Sequence, residues 1–200
     1  MMGSLPTISN HSISIPMRNL TATLCLTLAV LVGSAGVSAS ADYQNGLDAA
    51  RSGNFATALR EWEPLAAKGH AGAQYNLGLM HANGQGVPQD YKTAVKWYRR
   101  AAEQGDIHAQ YNLGVMFSDG IGISQNYKNA LKWYRRAAEQ GYPAAHFNLG
   151  EMYRNGWGVA QDFKTAVKWY RLPAERGYAY AQTNLGLDVC PTDGGVQQDF

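Results

Sequence analysis

Ala73-Gln74-Tyr75-Asn76-Leu77-Gly78 returns as Ala109-Gln110-Tyr111-Asn112-Leu113-Gly114, again as Ala145-His146-Phe147-Asn148-Leu149-Gly150, and a last time as Ala181-Gln182-Thr183-Asn184-Leu185-Gly186. The interval is 36 residues each time, and 73–108 agrees with 109–144 at 23 of 36 positions. Shared composition does not produce such agreement, so the sequence is a tandem duplication and the fold is an array of repeated units. The units are 73–108, 109–144, 145–180 and a truncated 181–200.

Glycine divides each unit in two. A first helix, A, over about 71–82 should end at Gly84, where Gly84-Gln85-Gly86-Val87-Pro88 supplies a loop tolerant of unusual backbone angles. Asp90 suits the N-cap of a second helix, B, which runs to about Glu103 and stops at Gly105 in a left-handed C-terminal cap. The same stops recur at Gly120, Gly122 and Gly141, and at Gly156, Gly158 and Gly177. Each unit is therefore a pair of antiparallel helices, and the fold class is all-α, a solenoid.

Helical spacing gives the buried faces. Tyr91, Ala94, Trp97 or Tyr98, and Ala101 fall on one side of helix B, and Ala73, Leu77 and Met80 on one side of helix A. One pair cannot hide both stripes, whereas stacked neighbours can. Trp62, Trp97, Trp133 and Trp169, spaced 35, 36 and 36, are read as the structural anchors of that stacking, and they register 42–72 as a diverged first pair. Gly78, Gly114 and Gly150 lie inside helix A, where glycine costs about 1 kcal/mol relative to alanine. A cost repeated at one position points to a close approach by a neighbouring helix. Pro173 falls inside the helix B of 145–180 and should kink or shorten it.

The ends do not follow the repeat. Arg18, the thirteen-residue apolar run Leu20 to Val32, and a small-residue tract ending Ala39-Ser40-Ala41 have the order of a secretory signal. The run is too short for a bilayer span, which needs about 20 residues. Residues 1–41 are expected to be removed after Ala41, with Met17 as the physiological start. Without Arg18, sixteen Lys and Arg face fifteen Asp and Glu. That balance gives no argument for nucleic acid or for a strongly charged surface partner. Cys190 is then the one remaining cysteine, which excludes an internal disulfide in a monomer. The segment 181–200 would serve as a C-terminal cap.

The combination Ala-Gln-Tyr-Asn-Leu-Gly-x-Met, then Gly-x-Gly-Val, then Gln-Asp-Tyr-x-x-Ala-x-x-Trp-Tyr-Arg-Arg-Ala-Ala-Glu-Gln-Gly resembles the Sel-1-like repeat family, relatives of tetratricopeptide repeats. The resemblance covers 73–190 strongly and 42–72 weakly. It implies a right-handed α/α superhelix whose helix A residues line a concave surface, and an adaptor or scaffold role. In bacteria it implies frequent export to the envelope, hence a periplasmic or secreted protein. One exported, cysteine-rich branch is associated with penicillin binding and weak β-lactam hydrolysis, but it carries a cysteine pair in each unit, which this sequence lacks.

Catalytic signatures are missing. There is no Ser-x-x-Lys, His-Glu-x-x-His or Gly-x-Ser-x-Gly. The histidines occupy different positions of the unit, with His81 and His146 on helix A. No metal or other cofactor is expected, and no catalysis. Two repeated polar features remain. Asn76, Asn112, Asn148 and Asn184 form a ladder able to donate and accept at once, which suits clamping an extended peptide or bonding the backbone of the next unit. Tyr75, Tyr111 and Phe147 beside them would add aromatic contacts or pack half-buried. Lys92, Lys96 and Arg99 recur as Lys128, Lys132 and Arg135, then as Lys164, Lys168 and Arg171, a stripe for solvent or for an anionic polymer. The expectation is a monomeric, exported adaptor for a protein or peptide, with no nucleic acid and no membrane span after signal removal. An envelope enzyme of the β-lactam or peptidoglycan kind, or a structural spacer, stands as the alternative.

Overall fold

A computed structural model describes residues 39–175. The chain divides into 1–41 and 42–200, and the architecture below is that of the second part. Helix α1 covers 42–51 of it. It is followed by α2 (Phe55–Ala67), α3 (Ala71–Asn83), α4 (Tyr91–Glu103), α5 (Ile107–Asp119), α6 (Tyr127–Glu139), α7 (Pro143–Asn155) and α8 (Phe163–Glu175), with no strand among the described residues. From α2 onward each helix packs on the next in the chain, the arrangement of a solenoid built of helix pairs. Among the described residues no helix is long and apolar enough to cross a membrane. Leu20 to Val32, Met17, Gly177, Asn184 and Cys190 lie outside the described residues.

The helix boundaries follow from a few side chains. Gly84, Gly120 and Gly156 close α3, α5 and α7 in the left-handed region, at φ 69°, 72° and 72°. Gln89, Gln125 and Gln161 then donate to the carbonyls of Ala82, Ser118 and Arg154, at 2.8, 2.7 and 2.7 Å. These bonds satisfy carbonyls that a helix end leaves without partners. The next residue caps the following helix: Asp90 accepts from the Lys92 and Thr93 amides, Asn126 from Asn129, and Asp162 from Thr165. At the other end of α4 the Gly105 amide donates to Ala102 and that of Asp106 to Ala101, both at 3.1 Å. This double bond pattern around a left-handed glycine terminates a helix without exposing its last carbonyls.

The core is a run of small and large side chains shared between successive helices. Ala94, Tyr98, Ala101, Ala109, Leu113, Ala130, Tyr134, Ala137, Ala145 and Leu149 are all buried. A Cβ on Gly78 would stand 2.6 Å from the Tyr98 ring, one on Gly114 2.6 Å from Tyr134, and one on Gly150 2.3 Å from Tyr170. The ring that crosses helix A is thus the tyrosine, and each glycine makes room for it.

That geometry corrects the tryptophan register. Trp62 stands 36 residues before Tyr98, not before Trp97, and it fills the tyrosine's place against α1: a Cβ on Gly46 would meet its ring at 2.2 Å. The burial follows. Trp62 and Trp133 are buried at 3% and 7% exposure, whereas Trp97 and Trp169 are half-buried. Tyr91, placed on the buried face by its spacing, is 40% exposed. It stands at the first turn of α4, where its hydroxyl accepts from Gln89 Nε2 at 2.9 Å. Helix α8 runs through Pro173 to Glu175 and has the same 13 residues as α4 and α6. The expected shortening does not occur, since a proline near a helix end removes a single backbone bond while the packed residues Ala166 and Tyr170 lie upstream.

The second glycine of each Gly-x-Gly loop has a different task. Gly86, Gly122 and Gly158, at φ 73°, 69° and 72°, lie against the start of the preceding unit's helix B. A Cβ there would meet Phe55 at 2.7 Å, the Tyr91 backbone at 2.5 Å and the Tyr127 backbone at 2.7 Å. These three A–B loops therefore dock on the helix B made one unit earlier.

Candidate functional site

The asparagine ladder lies where successive units meet. Asn76 is buried, and its amide nitrogen donates to the Tyr43 hydroxyl at 3.3 Å. The Asn112 side chain stands against the hydroxyls of Tyr75 and Tyr98, and that of Asn148 against the Tyr134 hydroxyl. In each case the partner is a tyrosine hydroxyl of the preceding unit rather than the backbone of the next. Burial raises the pKa of Tyr75, Tyr98 and Tyr134 above the ordinary tyrosine value, so these hydroxyls stay protonated. Asn112 and Asn148 are half-buried and retain some access to solvent. Tyr75, Tyr111 and Phe147 are half-buried too, each ring about 6 Å from the helix-B tyrosine of its own unit (Tyr98, 5.9 Å; Tyr134, 5.8 Å; Tyr170, 5.8 Å).

A second ladder was not singled out from the sequence. Gln74 and Gln110 are both 4% exposed. Their amide nitrogens donate to the Ala66 and Ala102 carbonyls, at 3.0 and 3.2 Å. Their oxygens accept from Gln104 and Gln140 at 2.6 and 2.8 Å. Each glutamine so ties the end of the preceding helix B to the end of its own unit's helix B. The one sequence signal was the recurrence of Gln74 and Gln110 at the same position, which does not by itself tell a buried glutamine from an exposed one. In the third unit His146 takes this place, 7% exposed, with Nδ1 3.0 Å from the Tyr142 carbonyl oxygen and its ring edge-on to Trp169. His146 is therefore a core residue.

The basic rows are all exposed. Among the described residues the ion pairs are Asp48–Arg51, Arg60–Glu61 and Glu151–Arg154, so none of the nine row cations is paired in this way. Arg100 and Arg136 lie over Trp97 and Trp133 at 4.9 and 4.7 Å from the ring centroids, covering the tryptophan faces that the core leaves open.

Between α5, α6 and α7 the helix-A surface opens into a cleft of about 300 Å³. Its walls include Tyr111, Val115, Asp119, Asn148, Glu151 and Trp157, and no lysine, arginine or histidine lines it. The Glu151 carboxylate accepts from Tyr170 Oη at 2.6 Å and from Arg154 at 2.7 Å. Trp157 is 41% exposed, with its ring stacked on Tyr127 at 5.6 Å and 12°. Among the described residues no group of histidine, cysteine, aspartate and glutamate is placed to hold a metal ion. The arrangement offers surface, hydrogen bonds and charge for binding.

Comparison with known proteins agrees with this architecture. The family model described as the Sel1 repeat matches 71–106, 107–142, 143–178 and 179–200. A Sel1 repeat protein from Oxalobacter formigenes is 35% identical with a TM-score of 0.68, over 72% of this chain and 59% of that one. The protective antigen c5321 of uropathogenic Escherichia coli strains, which displays an SLR fold, is 38% identical with a TM-score of 0.71, over 80% of this chain and 35% of that one. The chain thus spans less than two thirds of either relative. Helicobacter pylori cysteine rich protein B shares the fold alone, at 17% identity and a TM-score of 0.52, over 64% of this chain and 95% of that one. No curated protein matches.

Proposed function

The chain belongs to the Sel1 repeat family, a kind of helical repeat generally involved in protein–protein interaction, and from that premise we propose that it is an exported, non-catalytic adaptor. Its partner is a protein or peptide segment held along the helix-A surface of α3, α5 and α7. The observation that carries this reading is the cleft between α5 and α7, where Asn148 and Tyr111 stand at the wall with solvent access beside apolar Val115. Such a mixture of a few polar groups with aromatic and aliphatic surface is what orients an extended segment. Export rests on the order of charge, apolar run and small residues before Asp42.

Photo-reactive residues placed at Val115, in the cleft, and at Lys132, on the exposed side of α6, test the surface. Cross-links to an envelope protein from position 115 and none from 132 support the helix-A reading, and the reverse result overturns it. N-terminal sequencing of protein recovered from the envelope should begin at Asp42. Turnover of a chromogenic β-lactam that follows the protein through repeated purification would replace the adaptor by an enzyme.

A further inference from the structure

Three residues of the α5–α7 cleft depart from their counterparts in the other units. Asp119 stands where Asn83 and Asn155 stand one unit away, Glu151 where Leu79 and Val115 do, and Trp157 where Gln85 and Ile121 do. All three converge on this cleft. The fold accepts a neutral amide at the first position, an aliphatic side chain at the second, and a glutamine or isoleucine at the third, so packing alone does not call for the acid–indole combination.

The charge is unevenly satisfied. Glu151 is paired internally with Arg154, which leaves the Asp119 carboxylate as the cleft's uncompensated charge; it is exposed, and no hydrogen bond or ion pair engages it among the described residues. The Trp157 ring is held in place by its stack on Tyr127, yet two fifths of the residue is open to solvent. A fixed indole beside a free carboxylate is the combination that attracts a cation, by the ring quadrupole and by direct charge. At about 300 Å³ the cleft stands at the small end of ligand pockets, a size for one side chain of a longer segment.

We propose that this cleft takes a cationic side chain, arginine or lysine, of an extended segment of the protein partner, with the cation against Trp157 and Asp119 as its counter-ion. The inference rests on the helix-A binding reading above and deepens it. The protein's own units supply variants compatible with the fold: Asp119→Asn, Trp157→Gln and Trp157→Ile.

The test measures binding of short labelled peptides, alike except for a central arginine, lysine, citrulline or glutamate, to the full chain. The arginine and lysine peptides should bind, more weakly as salt rises, while citrulline and glutamate bind at least about tenfold more weakly. Asp119→Asn and Trp157→Gln should each weaken the arginine peptide by about tenfold with the melting temperature unchanged. Equal binding of citrulline and arginine, indifference to both substitutions, or no binding at millimolar peptide overturns the proposal. Self-association that Asp119→Asn abolishes also overturns it, by naming a second copy as the occupant. Cross-linking from position 115 separates the two readings: a partner caught there whose binding ignores Asp119 leaves the helix-A surface standing and removes only the cation site.

Discussion

One carbon added to Gly114 would stand 2.6 Å from two ring carbons of Tyr134, closer than any tolerated contact. Gly114→Ala should therefore cost about 1–3 kcal/mol and lower the melting temperature followed at 222 nm, by roughly 2–4 °C per kcal/mol for a chain of this size. If the melting temperature holds, the tyrosine is not wedged as described. The role of this glycine was legible because a residue unfavourable in helices recurred at one position. The buried glutamines were not, since an interior helical glutamine looks in sequence like any exposed polar residue until its partners Ala102 and Gln140 are brought beside it. The asparagines were half legible: an amide with two capabilities was evident, but the tyrosine hydroxyl that engages each comes from about 14 to 37 residues earlier in the chain.

Within single helices, the aspartate caps give a pH dependence. Hydrogen bonds from Thr93 hold the Asp90 carboxyl below its ordinary pKa, and Thr165 does the same for Asp162. A carboxylate depressed by folding adds stability that is complete above its unfolded pKa and is lost as pH falls through the folded value. The acid limb of the stability curve should accordingly become shallower in Asp90→Asn and Asp162→Asn, and α6, capped by Asn126, already shows that asparagine is accepted there. An unchanged acid limb would assign acid unfolding to other carboxylates. Tryptophan distinguishes helices in another way. Trp133→Ala should cost about 3–5 kcal/mol and loosen the units on both sides, while half-buried Trp97→Ala costs less; equal losses would restore the tryptophan register read from the sequence. That register failed because residue identity outweighed spacing: an interval of 35 among intervals of 36 was the sign that Trp62 matches Tyr98.

Across the whole array the exposed cations repeat without ion-pair partners. Like charges at i and i+4 repel, by a few tenths of a kcal/mol per pair, and salt screens them. The melting temperature should rise modestly between about 20 and 300 mM sodium chloride, and a fall would mean that favourable surface pairs dominate. Among the described residues the ends of the helices from α3 to α7 and their pairing were legible, since they depend on glycine and capping residues close together in sequence. The cleft was not, because Asp119, Glu151 and Trp157 become one surface only when two units are stacked. One property of the stacking has a direction. The loops of Gly86, Gly122 and Gly158 seat on Phe55, Tyr91 and Tyr127, and Gln74 and Gln110 reach back to Ala66 and Ala102, always toward the amino terminus. A chain that emerges amino terminus first thus finds each landing place already present when the next unit arrives, so the units can assemble in sequence order, each finished turn serving as the template for the one behind it.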